Sequence, residues 1–111
     1  MTRRICQAID LDPAAIAEYE RRHRPGGPPA AVNANIRAGG ILAMEIHRVA
    51  DRLFMIMDVG DDFDPAALAE ADANDPAIRA WAEDMAAFQR PIHDAQSWAE
   101  MTCIYRLADQ P

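Results

Sequence analysis

Lysine is absent from this chain. All eleven basic residues are arginines, set against eighteen Asp and Glu, and the formal charge is -7. Nucleic acids and anionic membrane surfaces need clustered positive charge, so both are excluded as partners. The densest basic run, Arg21-Arg22-His23-Arg24, fills one helical turn and could at most grip a small anion or a few hydroxyls. No stretch approaches the ~20 apolar residues of a membrane helix. The start, Met1 to Cys6, leads into Gln7 and Asp10 rather than an apolar signal core, so a cytoplasmic address is expected. Cysteine is scarce. Cys6 and Cys103 form no Cys-x-x-Cys and sit in short apolar segments, which reads as small core residues in a reducing compartment. The histidines, His23, His47 and His93, are too scattered for a metal signature. Neither metal nor cofactor is expected.

What is present suits one soluble domain over residues 1–111, half hydrophobic and about a quarter charged. Asp-Pro occurs three times, at Asp12-Pro13, Asp64-Pro65 and Asp75-Pro76. Asp accepts the free amide hydrogens of a first turn, and proline fits the next position, so each pair marks a helix start. Helices are expected over 13–23, over 29–38 with Val32 and Ile36 on one face, after Pro65, and after Pro76. The last carries Ile78, Trp81, Met85 and Phe88 at near-helical spacing and closes before Pro91. Strands are expected over 5–11, 41–47, 53–59 and 101–107. In the second, Leu42, Met44 and Ile46 alternate with Ala43, Glu45 and His47.

Strand, helices, strand, strand, helices, strand is the order of an α+β ferredoxin-like fold, with a four-stranded antiparallel sheet and helices on one face. The third strand then lies inside the sheet. Its run Leu53-Phe-Met-Ile-Met-Asp-Val59 is apolar on both faces, and the chain has no spare segment to cover the second one. A homodimer through the open sheet face is therefore expected.

Tyr19 and His23 are four residues apart on the first helix, with Ile16 one turn earlier as an anchor to the sheet. Histidine transfers protons in either direction near neutral pH. The pattern Tyr19-x-x-x-His23-x-Pro25, Pro28, Arg52-Leu53-Phe54 and Trp81-x-x-x-Met85 resembles the L-rhamnose mutarotase family over residues 4–107. The Pro-Gly-Gly-Pro-Pro loop and Ala-Met-Glu-Ile strand are most similar to the branch associated with L-fucose. The resemblance implies a dimeric α/β barrel that interconverts the α and β anomers of a 6-deoxy-L-sugar without metal or cofactor. His23 would be the proton donor, and Tyr19 and Trp81 would bind the sugar; the second catalytic acid or base falls to Tyr19, Glu45 or a bound water. Glu45 and Trp98 are further candidates for the sugar. Rhamnose-specific members carry a tryptophan where this chain has Gly27 and another where it has Ala82, and their pocket tyrosine falls near Leu42 or Ala43. Two rival readings share the fold class: a cofactor-free monooxygenase, and a non-catalytic dimeric module that binds a small ligand.

Overall fold

The computed structural model describes residues 2–111. All three Asp-Pro pairs start helical segments. Asp64 accepts from the amides of Ala66 and Ala67 at the head of α3 (Pro65–Ala73), and Asp75 from Ala77 and Ile78 at the head of α4 (Pro76–Phe88). Asp12 caps a short 3-10 turn, Pro13–Ala15, that runs into α1 (Ile16–Arg22). The proline-glycine loop separates α1 from α2 (Ala30–Ala38).

The long strands are β1 (Arg3–Leu11), β2 (Ile41–Val49) and β3 (Arg52–Val59), all antiparallel to their neighbours. Two short strands, β4 (Gln89–Arg90) and β5 (Ala99–Glu100), both pair with β1. The order β2-β3-β1-β4 puts the apolar third strand inside the sheet, as its composition demands. Register sorts the faces. Ile5, Ile9 and Leu11 share the helix-covered face with Leu53, Met57 and Val59, and all six are buried. They form two clusters. One joins Ile9, Leu11 and Leu53 to Tyr19 and Met85; the other joins Ile5, Met57 and Val59 to Ile41.

The opposite face carries Cys6, Ala8, Phe54 and Ile56 at its centre; Ala8 is buried and the other three are half-buried. Cross-strand ion pairs, Arg4–Asp58 and Asp10–Arg52, close its two ends. In each pair the carboxylate stands directly opposite its arginine in the register.

The sequence pattern fails at two places. A bulge between Ile41 and Ala43 removes Leu42 from the line of Met44 and Ile46, leaving it 62% exposed. The strand expected over 101–107 does not form. Pairing stops after Glu100, save one bond from the Met101 amide to the Cys6 carbonyl, and only a short 3-10 turn, Leu107–Asp109, follows. The side chains beyond are bare, with Ile104 93% and Leu107 74% exposed. Cys103, expected in the core, therefore lies on the surface, while Cys6 is half-buried. This arm also stretches the molecule. Its radius of gyration is 14.8 Å, where a compact chain of this length would have about 13 Å.

Candidate active site

A concavity of about 460 Å³ lies between the helices and the helix-covered face of the sheet. Its floor is Met44, Ile46 and Met55, from β2 and β3. Its walls are the end of α1, the inner side of α2, Asp72 of α3, one side of α4, and Ser97-Trp98. Pockets of this size that are mostly apolar with a few convergent polar groups are the usual form of small-molecule sites.

His23 ends α1. The helix tightens there: the His23 amide bonds to the Glu20 carbonyl, three residues back, rather than continuing the four-residue pattern. The Tyr19 carbonyl, which that amide would otherwise have taken, lies 2.6 Å from Nδ1 of the His23 ring. A carbonyl oxygen can only accept, so Nδ1 carries a proton and Nε2 is the nitrogen left for chemistry. Two aromatic neighbours fix the plane of the imidazole. The Tyr19 ring stacks on it at 4.3 Å between centroids, and Trp81 meets it edge-on at 5.3 Å. The spacing of four residues on one helix brought Tyr19 and His23 together. The α4 stripe brought Trp81 to them.

Tyr19 is 3% exposed, and its hydroxyl accepts a bond from the Gln89 side chain at 3.1 Å. Burial pushes its pKa up, against a smaller opposing effect from Gln89. A phenol held neutral in this way keeps its own proton to donate and is no base. The arginine run is spent on structure. Arg21 and Arg22 both bond Glu18, and Arg22 reaches on to Asp84 of α4 while its guanidinium lies over the Phe88 ring. Those arginines hold the Glu18 carboxyl down at about 2, from 4.5. A depressed carboxyl stabilises the fold above its unfolded value. The clamp on α1 is therefore complete at neutral pH and weakens as pH falls from about 4.5 towards about 2.

Of the residues singled out in the sequence, His23, Tyr19, Trp81 and Trp98 all line the cavity. Glu45 does not. It sits between Met44 and Ile46, so the pleat turns it to the other side of the sheet, where it is exposed and bonds His47 at 2.9 Å. Leu42 and Ala43 are likewise outside this cavity, and Met44 takes the floor. Four polar residues gave no signal in the sequence: Asn33 on α2, Asp72 on α3, Gln89 just past α4, and Ser97.

Ala82 lines the cavity with only a methyl group. Gly27 is forced by its loop. A Cβ there would lie 2.1 Å from the Arg22 carbonyl oxygen and 2.9 Å from that of Arg24, which accepts from the Gly27 amide. No larger residue fits without remaking the turn. Gly27→Ala is expected to cost at least about 2 kcal/mol. Gly26, in the left-handed region with open space around it, should lose only about 1 kcal/mol on the same change. Chemical denaturation of the two variants checks the order.

Among the described residues no group of three or more His, Cys, Asp and Glu is placed to hold a metal ion. Among the same residues no helix is long and apolar enough to cross a membrane.

Comparison with known proteins places this geometry. The chain is 43% identical to an L-fucose mutarotase of Xanthomonas campestris pv. campestris, over 96% of its own length and 89% of the relative's. Its fold matches a crystal structure of L-rhamnose mutarotase FA22100 from Formosa agariphila with a TM-score of 0.68. That match is at 15% identity and covers 95% of this chain and 98% of the other. Tetracenomycin F2 cyclase of Streptomyces glaucescens, a type-II polyketide cyclase, has the same fold at a TM-score of 0.63 and 17% identity, covering 94% and 95%. Such distant structural likenesses establish the architecture and leave the chemistry to the site. The model of the L-rhamnose mutarotase family matches residues 4–107, nearly the whole chain, and the chain belongs to that family.

Proposed function

We propose that this protein is a sugar mutarotase, an isomerase that interconverts the α and β anomers of a 6-deoxy-L-sugar, L-fucose first and L-rhamnose next. The observation that carries the reading is the state of His23, whose Nδ1 is committed to the Tyr19 carbonyl in the wall of a sugar-sized cavity. Mutarotation needs a proton placed on the ring oxygen and another taken from the anomeric hydroxyl. The bond from the anomeric carbon to the ring oxygen then breaks, and an aldehyde forms. Rotation about the next bond and reclosure invert the anomer and return both protons. In this reading Nε2 of His23 carries the second proton of the ring and donates it to the ring oxygen, and a second acceptor holds the hydroxyl proton until closure. The neutral Tyr19 hydroxyl donates a hydrogen bond to a sugar oxygen. Trp81 and Trp98 meet the C–H faces of the ring, and the methionines of the floor suit a methyl group at C6 better than a hydroxymethyl. Gly27 and Ala82, small where rhamnose-specific members are aromatic, favour L-fucose.

Saturation-transfer NMR tests this directly. The protein should accelerate anomer exchange of L-fucose above all, of L-rhamnose less, and of common aldoses least. Unchanged exchange for every sugar would sink the mutarotase reading.

The reading includes a cytoplasmic homodimer formed through the open sheet face. Cys6, Ala8, Phe54 and Ile56 make an apolar centre, with an ion pair at each end as a rim. The exposed arm supports the same partner. Ile104, Tyr105 and Leu107 stand exposed on it, and the arm follows Ala99, which pairs with Ala8 of the open face. Over residues 3–5, β1 has β3 on one side and no strand on the other among the described residues. A second copy offers both a face and a sheet edge for the arm.

A further inference from the structure

We propose that Asp72 is a specificity-determining residue, binding the sugar hydroxyls across the ring from the anomeric carbon. This rests on the mutarotase reading and adds a residue to it. Asp72 lies near the end of α3, lines the same cavity as His23, and is the cavity's one carboxylate among the described residues. It is half-buried, and its bond is from the Asn35 amide to Oδ1 at 3.3 Å. Other acids of the fold are occupied differently. Asp10, Glu18 and Asp58 face arginines, and Asp12, Asp64 and Asp75 cap helical turns. No arginine pairs with Asp72 among the described residues.

A carboxylate has about four lone-pair sites, and one amide at 3.3 Å leaves most of them unused. Taking it further from water by closing a ligand over it is costly unless the ligand supplies donors. Neighbouring hydroxyls of a pyranose supply two, one for each oxygen, as charge-assisted bonds. Asn35, on α2, then acts as the tether that fixes the carboxylate. In this cavity, which His23 and Asp72 both line, the anomeric carbon and ring oxygen meet the imidazole. The hydroxyls at C3 and C4 meet the carboxylate. The relative orientation of those two hydroxyls differs between L-fucose and L-rhamnose, which makes this contact a means of telling them apart.

The test is saturation-transfer kinetics on L-fucose and 4-deoxy-L-fucose. For D72A the KM for L-fucose should rise about 10- to 100-fold, with kcat changed far less. D72N, which keeps shape and one acceptor, should fall between wild type and D72A. N35A, which removes the tether but leaves the carboxylate, should raise KM by much less than D72A, whereas a merely structural tie between α2 and α3 would make the two match. The wild type should discriminate against 4-deoxy-L-fucose, and D72A should treat the two sugars nearly alike. An active wild type with an unchanged KM in both Asp72 variants overturns this inference alone. So does an equal penalty for the deoxy sugar in wild type and D72A. A wild type that accelerates no sugar takes down the mutarotase reading and this inference with it.

Discussion

Replacing His23 by alanine is expected to slow anomer exchange by about 100- to 10,000-fold while leaving the protein folded. The two halves of that expectation have separate physical grounds. The ring is half-buried at a helix end, outside the fully buried core, and its loss leaves the Tyr19 carbonyl short of one partner beside an open cavity. A cost of about 1 kcal/mol follows, within what a folded domain tolerates. The catalytic loss is larger because His23 is the only histidine in the cavity wall among the described residues, and Tyr19 is a poor substitute. Its phenol is pushed up by burial and so is a weaker acid than usual near neutral pH. Tyr19→Phe is the informative companion. It keeps the stacked ring and removes only the hydroxyl, so it should lose far less than His23→Ala. Circular dichroism confirms folding, and saturation-transfer NMR on L-fucose reads the rates. A His23→Ala protein as active as wild type would overturn the assignment of the acid without touching the family.

The part of this site that was legible in the sequence is the part built on local geometry. Tyr19 and His23 meet because four residues make one helical turn, and Ile16, a turn earlier, packs that helix on the sheet. Trp81 and Met85 repeat the same spacing on α4. Asp72 and Gln89 could not be read this way. Each arrives in the cavity through the packing of one element on another, and in sequence Asp72 is one more acid in an acidic stretch. Glu45 shows the opposite error. Its place on the polar side of β2 was correctly read, but that side faces away from the helices, hence away from the cavity. The bulge after Ile41 carries no residue pattern that distinguishes it from continuous alternation, so the departure of Leu42 was invisible.

Alternation over 101–107 raised an expectation of a strand and misled for a related reason. A period of two says which side chains would share a face, and nothing about where the pairing strand comes from. Within one copy, the arm leaves the sheet after Met101, and its apolar residues stay in water. The expected result is therefore that the wild-type protein scatters light as a dimer at micromolar concentration and that Ile104→Asp with Leu107→Asp turns it into a monomer. Neither residue touches the core of its own chain appreciably, at 93% and 74% exposed, so the double variant should fold as well as wild type. Burial of one such side chain contributes about 1.5–3 kcal/mol, and a symmetric dimer loses four of them. Even at the lower end that is about 6 kcal/mol, or about four decades in dissociation constant. Few dimers of a small domain survive such a loss at micromolar concentration. A wild-type protein that runs as a single chain would contradict the dimer outright. A double variant that stays dimeric would leave the sheet face as the contact and remove the arm from it. Activity gives the complementary reading: His23, Trp81 and Asp72 come from one copy, so a folded monomer should keep measurable exchange of L-fucose.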